Sequence, residues 1–541
     1  MPKRSADSEP QQTQPARKSV GGNAAPAAGG DEGMGEFEDQ WEDDLSDEEI
    51  VNAGDLEGDD GVMLDDEIIP AAEDSDPTAG QNASDAPTYL PGHSRPLEDD
   101  ETLEPDNSVY QSLHRLAYTW PCLSFDVLRD NLGWERGRFP HTAWVVAGTQ
   151  AGESEGGAGG MSVRGKDEVV VMRLGGLSRT QKDGNDSDDS SDDEDDDADG
   201  TDEDAHLEFL SIPHTGSVNR IRAAPQPPSP SLLPPTPTPY HVASMSETGK
   251  VHIFDVRPLI DQLEQPGSQG IAQRLEKAKR PLHTITNHGR NEGFALDWAG
   301  SFANGSQTPA DLRLLTGDVA SKIFLTTATN TGFHTNPNPY ISHTNSIEDL
   351  QWSPSEPTVF ASCSSDRSLK IWDIRVKSRK NVTGIDGAHT GDVNVISWNK
   401  GVGYLVVSGG DEGGLKTWDL RSLKADIKSA PTPVAHFQWH TQPITSVEWS
   451  PHDTSLFLAS SADDSVTMWD LSVEADEDES ANNATRNIVD AQGRMVAVPP
   501  QLLFVHQGQR DVKEVHWHPQ VPGMVVSTAG DGFNVFKTIS A

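Results

Sequence analysis

The sequence has almost no cysteine and no long apolar segment. Only Cys122 and Cys363 occur among the 541 residues, and they are far apart. A disulfide framework and a cysteine-based zinc site are therefore disfavoured. No apolar run reaches the roughly 18 residues that a membrane-spanning helix needs. The basic first residues, MPKRSADSEPQQTQPARKS, lack the apolar centre of a signal peptide, so we expect an intracellular protein.

Positive charge is also scarce, and the negative charge is unevenly placed. The chain has 41 Lys and Arg against 86 Asp and Glu, a net charge of −45. Residues 1–105 contain 29 Asp and Glu and five Lys and Arg, residues 183–204 contain 14 acidic residues, and residues 474–480 contain five. Removing −24, −14 and −5 leaves about −2 for the remainder. This balance, without a basic patch, disfavours direct binding of nucleic acid.

Catalytic and metal-binding motifs are absent from the sequence as well. There is no Gly-rich phosphate loop, since Gly157–Gly160 lies in a predicted surface loop, and no nucleophile constellation or metal-ligand cluster occurs. The sequence therefore predicts a protein that is not an enzyme and that has no metal or cofactor.

The sequence does contain three close copies of one unit. They run from His343 to Asp373, from His389 to Asp419 and from His440 to Asp470, and their ends are 46 and 51 residues apart. Each begins with His-Thr, continues through an alternating strand that ends in Trp, and finishes on Trp-Asp. Repeats of this length with four short strands are typical of a WD-repeat β-propeller.

The polar residues of these copies have a structural explanation. In WD repeats, which the copies resemble, a His, a turn acid, a strand Ser or Thr and the final Trp form a buried hydrogen-bond network. Because the residues recur in every copy, we favour this role over a catalytic one. The predicted members are His343, Asp366 and Trp372 with Ser362, then His389, Asp411 and Trp418, then His440, Asp463 and Trp469.

Four weaker copies complete a predicted ring of seven blades. They begin near His141, His214, His288 and His506. The predicted fold is thus all-β, a seven-bladed propeller over residues 120–541 with an N-terminal helix and long disordered acidic segments. The tail 1–105 contains too little apolar surface to offset the entropy of folding, and residues 183–204 form a solvated acidic loop in blade one. A further acidic and Pro-Pro loop is predicted over 474–500.

The residues just before the propeller predict two further elements. Val109, Leu113 and Leu116 follow helical spacing, which predicts an amphipathic helix over 106–119. Residues 120–128 then read as a strand outside the N-terminal blades. We expect this strand to close the ring by completing the last blade, because closure removes both exposed sheet edges.

Several segments outside the repeats resemble one particular WD-repeat family. They are Tyr89–Gly92, Thr119–Gly133 and Phe139–Ala151, together with the acidic tail and the acidic loop in blade one. The chain resembles the glutamate-rich WD-repeat ribosome-assembly chaperones, whose wider relatives are the histone-binding WD proteins. The resemblance implies work in the nucleus and nucleolus on the large ribosomal subunit. It also implies binding of a newly made basic protein of that subunit, number three among them.

Two sets of residues are candidates for binding that client. Ribosomal proteins have dense Lys and Arg extensions, so an acidic surface would capture them and RNA phosphates would compete for release. The acidic candidates are Asp192, Asp193, Glu194, Asp195, Asp196 and Asp197, with Phe37, Trp41, Asp43 and Asp44 in the tail. A groove like that of the histone-binding relatives would use Val109, Leu113, Leu116, Pro499 and Pro500, although Leu113 would equally pack a helix on blade seven.

Two other functions remain open at this stage. A histone tail presents the same basic chemistry as a ribosomal-protein extension, so histone or chromatin binding is an alternative. The boxes Trp372–Arg375 and Trp418–Arg421 read Trp-Asp-x-Arg, which resembles the adaptor-docking motif of substrate receptors of cullin-type ubiquitin ligases.

Overall fold

The computed structural model describes most of the chain after residue 104. The described residues are 105–154, 163–180, 204–226, 238–267, 270–301, 310–423, 431–473, 487–489 and 495–540, with the isolated residues 89 and 94. The compact unit to which they belong is Ser84–Ala541. The predicted disordered segments 1–105 and 183–204, apart from their last residues, lie outside these ranges, as does most of 474–500.

The described chain consists mainly of short strands. The first half contains β1 (Tyr110–Leu116), β2 (Cys122–Leu128), β3 (His141–Thr149), β4 (Glu153–Ser154), β5 (Val163–Arg164), β6 (Glu168–Leu177), β7 (His206–Pro213), β8 (Val218–Ala223), β9 (His241–Ser246), β10 (Val251–Asp255), β11 (His283–Ile285), β12 (Ala295–Ser301), β13 (Ala310–Gly317), β14 (Ile323–Thr329) and β15 (Gly332–Thr335). The second half contains β16 (Ile347–Trp352), β17 (Val359–Ser364), β18 (Leu369–Asp373), β19 (Thr383–Ile385), β20 (Val393–Trp398), β21 (Leu405–Gly410), β22 (Gly414–Asp419), β23 (Ala435–Gln438), β24 (Ile444–Trp449), β25 (Leu456–Ser461), β26 (Val466–Asp470), β27 (Asn487–Val489), β28 (Met495–Ala497), β29 (Leu502–His506), β30 (Glu514–Trp517), β31 (Met524–Ala529) and β32 (Gly532–Thr538).

These strands form seven four-stranded antiparallel sheets, which confirms the predicted seven-bladed propeller. From the channel outward, the blades are β2-β3-β6-β7, β8-β9-β10-β11, β12-β13-β14-β15, β16-β17-β18-β19, β20-β21-β22-β23, β24-β25-β26-β29 and β30-β31-β32-β1. The first strands of neighbouring blades contact one another around the whole ring. Two small hairpins, β4-β5 and β27-β28, lie outside the blades.

The core lies between blades, because neither face of a four-stranded sheet is solvated in the ring. The junction of blades five and six shows this packing. Trp439 and Phe437 of blade five contact Phe457 and Trp469 of blade six, and the rings of Phe437 and Trp469 stack at 4.5 Å. Each blade thus covers the apolar face of its neighbour, which explains why the strands contain apolar residues on both faces.

The N-terminal element of the described chain is a strand, so the predicted helix over 106–119 is wrong. Asn107–Val109 form a single 3-10 turn capped by Asp106, whose side chain accepts from Ser108 N at 2.9 Å. The chain then enters β1, which pairs with β32 from Tyr110 opposite Thr538 to Leu116 opposite Phe533. An N-terminal strand therefore completes the blade made by the C-terminal strands.

The predicted closure strand has a different place. Residues 122–128 form β2, the first strand of blade one, paired with β3. Closure of the ring by an N-terminal strand was the right principle, but the strand that does it is β1 and not residues 120–128. A central position explains the composition of β2, since Phe125 and Leu128 are fully buried.

All first strands end at the same end of the channel. The residue before a tryptophan in one first strand accepts a hydrogen bond from the backbone N–H of the corresponding tryptophan in the next. Asp297 accepts from Trp352 at 2.7 Å, Glu448 accepts from Trp517 at 2.9 Å, and Gln351 and Ser397 do the same toward Trp398 and Trp449. The first strands therefore run in one direction, with equivalent residues at the same height along the channel. We call the end at which these strands finish the lower face.

Helical structure in the described residues is limited to one insertion between β10 and β11, apart from 3-10 turns. It contains α1 (Arg257–Glu264), which begins with a proline at its second position, and α2 (Ile271–Ala278). Leu259, Ile260 and Ala278 pack against Ile212 of blade one. No helix among the described residues is long and apolar enough to cross a membrane.

Candidate functional site

The first clear repeat contains a complete buried hydrogen-bond chain. His343 Nδ1 lies 2.9 Å from Asp366, His343 Nε2 lies 2.6 Å from Ser362 Oγ, and Trp372 Nε1 donates to Ser362 Oγ at 2.8 Å. Burial lowers the pKa of His343, so the neutral ring donates from Nδ1 and accepts at Nε2. The polar side chains of this network therefore bond to one another within the blade, which is the arrangement expected for a structural role.

The second repeat uses a different acid from the predicted one. His389 Nδ1 lies 2.7 Å from Glu412 Oε1, and its Nε2 lies 2.7 Å from Ser408 Oγ. Asp411, the predicted partner, is exposed. The sequence contains the signal that identifies Glu412. The His and the acid are 23 residues apart in all three copies, and residue type alone had favoured Asp411.

The third repeat shifts the hydroxyl to another strand. His440 Nδ1 lies 2.9 Å from Asp463, but its Nε2 meets Thr467 Oγ1 at 2.8 Å, and Trp469 Nε1 donates to the same Thr467 oxygen at 2.8 Å. Burial would raise the pKa of Asp463, but its hydrogen bonds to His440 and Ser465 hold it below the ordinary value.

The two neighbouring acids of the second repeat give a direct test. Replacing Glu412 with alanine should lower the free energy of unfolding by about 1–3 kcal/mol, because the buried His389 N–H loses its acceptor. Replacing the exposed Asp411 with alanine should change it by less than about 0.5 kcal/mol. Denaturant unfolding of both variants would decide the assignment, and an equal loss in the two variants would contradict it.

A buried carboxylate joins three blades at the point where the ring closes. Glu514 in β30 accepts from Ser124 Oγ and Phe125 N of blade one, both at 2.8 Å. It also pairs with two arginines of blade two, Arg220 at 2.7 Å and Arg222 at 2.6 Å. Burial opposes its ionisation, but the two arginines keep the pKa of Glu514 well below its ordinary value. The ionised side chain of Glu514 therefore connects blades seven, one and two.

A second buried pair connects blades six and seven. His516 Nδ1 lies 3.0 Å from Glu448 Oε2, and His516 Nε2 lies 3.6 Å from Glu514. Burial alone would lower the pKa of His516, but the two carboxylates raise it to about 9. His516 is thus a cation at neutral pH, and its charge is balanced inside the propeller.

Arg220, Arg222, Glu448 and His516 line a cavity that opens on the lower face of the channel. Its volume is about 800 Å³, and the ends of first strands and their following loops line it. The tryptophans at the rim are Trp298, Trp352, Trp398 and Trp517, and the half-buried carboxylates inside are Asp126, Asp297, Asp349 and Glu448. This cavity brings charged side chains and tryptophan rings together at the lower face.

The acidic segments attach to the same lower face. In an antiparallel blade the third strand ends, and the fourth begins, where the first strand ends. Residues 178–205 connect the third and fourth strands of blade one, and residues 471–501 connect those of blade six. The tail joins at the start of β1, the fourth strand of blade seven. The attachment points therefore lie on one face and on three consecutive blades: six, seven and one.

The acidic candidate residues themselves, Asp192–Asp197 and Phe37, Trp41, Asp43 and Asp44, lie outside the described residues. The groove candidates are described and divide into two groups. Val109 and Leu113 pack against the core cluster of blades six and seven, as do Leu503 and Phe504 of β29. Leu116 is 7% exposed and packs with Phe533 toward blade one, so its assignment to the same groove is wrong. Side chains alternate along the regular part of a strand, so Leu113 and Leu116 face opposite sides of β1.

The proline pair of the predicted groove belongs to the turn before β29. Pro499 and Pro500 are half-buried, and the Pro499 carbonyl accepts from Leu502 N at 3.0 Å. Their neighbour Val498 packs with the outer part of blades five and six.

The Trp-Asp-x-Arg boxes both have their arginine turned back on the aspartate. Arg375 and Arg421 each form a two-pronged contact with Asp373 and Asp419, with shortest distances of 2.6 and 2.7 Å. The guanidinium of Arg421 also lies 3.5 Å from the centre of the Tyr404 ring. No group of three or more potential ligands among the described residues is placed to hold a metal ion.

Comparison with known proteins supplies the family. Ribosome assembly protein rrb1 of Schizosaccharomyces pombe is 43% identical over 511 residues, which cover 94% of this chain and 93% of that protein. The chain belongs to the glutamate-rich WD-repeat ribosome-assembly family. Glutamate-rich WD repeat-containing protein 1 of Dictyostelium discoideum is 40% identical over 82% of this chain and 83% of its own length. Protein HEAT STRESS TOLERANT DWD 1 of Arabidopsis thaliana is 44% identical over 81% and 88%. The resemblance inferred from the sequence is thereby confirmed.

Family descriptions match parts of the same region. Residues 337–373 and 431–470 match the WD domain, G-beta repeat. These ranges contain the first three strands of blades four and six, and the second range also contains β23 of blade five. Residues 100–177 match the family of the histone-binding protein RBBP4 and of the corresponding member of the CAF1 complex. That second match contains β1, β2, β3 and β6, so it includes the strand that closes the ring.

Proposed function

We propose that this protein is a ribosome biogenesis factor that binds a newly made, basic protein of the large ribosomal subunit, number three of that subunit, and delivers it to the assembling particle. The protein acts as a binding scaffold without catalysis and works in the nucleus and nucleolus. Membership of the ribosome-assembly family supports the process. The client follows from the resemblance and from the charge distribution.

The observation that carries the client assignment is the common attachment of the acidic segments. Segments with net charges of −24, −14 and −5 join one face on consecutive blades, by counts from the sequence. A basic extension that approaches this face meets the sum of their fields, which speeds capture and weakens with salt. RNA phosphates compete for the same Lys and Arg side chains, so ribosomal RNA is a suitable release partner.

A second client class has specific support. The match of residues 100–177 to the histone-binding family makes histones the alternative partner. A histone tail is also rich in Lys and Arg, and charge alone does not distinguish the two. Shaped contacts on the propeller would have to do so.

Neutralising the acidic loop tests the proposal. The variant changes Asp192–Asp197 to Asn or Gln, and the measurement is the association rate of the purified ribosomal protein with the full chain. We expect a loss of about tenfold at low salt, because the long-range attraction falls with the six charges. At about 0.5 M salt, where screening removes that attraction, the two proteins should associate at similar rates.

A matched control keeps the net charge of the acidic loop and changes the order of its residues. Scrambling residues 183–204 should leave the association rate unchanged, since the field depends on charge and hardly on sequence. Purified histones H3 and H4 serve as the competing client. Tighter binding of histones than of the ribosomal protein would replace the proposed client with the alternative one.

A further inference from the structure

Two exposed apolar side chains lie on the loop that connects β2 and β3 in blade one. Leu132 and Trp134 are 59% and 38% exposed. Of the tryptophans that the structure describes, only Trp134 is exposed, while the others are buried or half-buried. A single exposed leucine is common on protein surfaces, but an exposed tryptophan beside one is the composition of a binding contact.

The backbone of this loop is held in place by the buried Gln520 of blade seven. The side-chain oxygen of Gln520 accepts from Asp130 N at 2.9 Å, and its Nε2 donates to the carbonyls of Asp130 and Gly133, both at 3.0 Å. The Gln520 carbonyl accepts from Arg136 N at 3.1 Å. One buried residue thus fixes both ends of the exposed segment. Gly133 makes the turn inside the segment with a φ of 107°, which residues other than glycine rarely adopt.

Further contacts hold the same loop from blade two and from within. The Tyr240 hydroxyl of blade two accepts from Arg129 N at 2.9 Å, and the Arg129 guanidinium lies 4.9 Å from the centre of the Trp134 ring. The Asp130 carboxylate accepts from the Arg136 guanidinium at 2.9 Å. The loop is therefore pre-organised, and a partner that packs on its apolar residues has little further chain to order.

The apolar pair Leu132 and Trp134 belongs to the same blade and the same face as the acidic loop. First strands end at the lower face, so residues 129–140 leave β2 there, and residues 178–205 leave the third strand of blade one there as well. Residues 129–140 contain three Arg and two acidic residues, a net charge of +1, against −14 for residues 183–204. The first loop therefore supplies apolar surface and the second supplies electrostatic attraction.

A basic client fits this combination better than a second copy of the chain does. A second copy has a net charge of −45 and the same acidic loop, so the two copies would repel each other. An extension rich in Lys and Arg is attracted to this face, and an apolar side chain within it can leave water by packing on Leu132 and Trp134.

We propose that Leu132 and Trp134 are the apolar contact for the basic client, which lies across the lower face of blade one with one of its apolar side chains packed on this pair. This inference rests on the proposed function and adds a contact that distinguishes one basic protein from another, which charge alone does not do. Attraction by the acidic loop then sets the association rate, and the apolar contact sets the dissociation rate.

The test measures the two rates separately. Association and dissociation of the purified ribosomal protein are followed with the full chain at about 0.1 and about 0.5 M salt, since salt screens the attraction of exposed charges and does not weaken apolar contacts. Trp134→Ala should dissociate about tenfold faster than the native chain at both salt concentrations, and Leu132→Ser about threefold faster, while their association rates stay close to the native one.

Two matched controls lie on lower-face loops of blade five. They are Tyr404→Ala, in the loop between β20 and β21, and Val434→Ser, in the loop between β22 and β23. Tyr404 is 37% exposed and its ring lies under the guanidinium of Arg421, so it matches Trp134 in exposure and in its cationic neighbour but not in its blade. Both controls should bind the ribosomal protein like the native chain. Thermal unfolding checks that every variant is folded, and if Trp134→Ala is not, Leu132→Ser decides.

Three results would overturn the proposal while the proposed function stands. Native dissociation rates in the folded blade-one variants would remove the apolar contact, and so would equally fast dissociation in the blade-five controls. Faster dissociation of histones H3 and H4, with no change for the ribosomal protein, would assign the surface to the alternative client. No binding of the ribosomal protein by the native chain at the lower salt would instead remove the client assignment itself.

Discussion

Replacing Glu514 with glutamine is expected to lower the free energy of unfolding by about 3–5 kcal/mol, because it leaves two buried arginines without their counter-charge. The side chain of Glu514 is 1% exposed, and those of Arg220 and Arg222 are 12% and 18% exposed. Glutamine has nearly the same shape and keeps an oxygen that can accept from Phe125 N. The loss of unfolding free energy therefore reports mainly the loss of the negative charge.

The control is an exposed pair on the outside of the propeller. Arg173 and Glu208 lie 2.9 Å apart with 36% and 46% of their side chains exposed. Glu208→Gln should cost no more than about 1 kcal/mol. Denaturant unfolding of both variants at pH 7 provides the comparison. Similar losses of unfolding free energy in the two variants would contradict the role of Glu514 in holding the blades together.

Removing β1 should have the other large effect. A chain that begins at residue 105 should unfold at nearly the same denaturant concentration as the full protein. A chain that begins at residue 120 should lose its cooperative transition or aggregate. Without β1, the strand β32 becomes an open edge and Phe536 loses its contact with Tyr110, whose ring centroid lies 6.1 Å away. The hydrogen bond from Tyr110 to His506 at 2.7 Å is lost as well.

The two shortened chains differ by only 15 residues, which makes the comparison specific. The deleted acidic tail is common to both, so any effect of its charge cancels. Equal stability of the two chains, measured by denaturant unfolding and by size-exclusion chromatography, would show that β1 does not close the ring.

The repeats made the blades predictable, and the closing strand shows where pattern reading fails. In the three clear copies, residue identity and spacing agree, so four strands and their order follow from the sequence. In β1, apolar residues face two different clusters. Leu113 packs toward blade six and Leu116 toward blade one, and a bulge after Tyr110 adds one residue. The resulting spacing of three and four imitates a helix, and only the pairing with β32, over 400 residues away, decides the strand.

The candidate site was less accessible to sequence reasoning than the fold. The acidic segments were visible from composition, but their common face depends on strand direction. The cavity carboxylates Asp126, Asp297 and Asp349 were not identified at all. They lie on blades one, three and four and come together only when the blades assemble. The recurring acid or polar residue before Trp298, Trp352, Trp398 and Trp449 was the available signal, and it reports the hydrogen bonds that connect neighbouring first strands.

The pairing of β1 with β32 also sets the order of events during synthesis. Six blades consist of residues that leave the ribosome before residue 507, and each can form as its fourth strand emerges. Blade seven must wait, because Tyr110 pairs with Thr538. For most of translation the first blade therefore keeps an apolar flank exposed, including Phe125 and Val127, which later contact blade seven. Quality control of this protein should thus act on nascent chains that lack only their last strands.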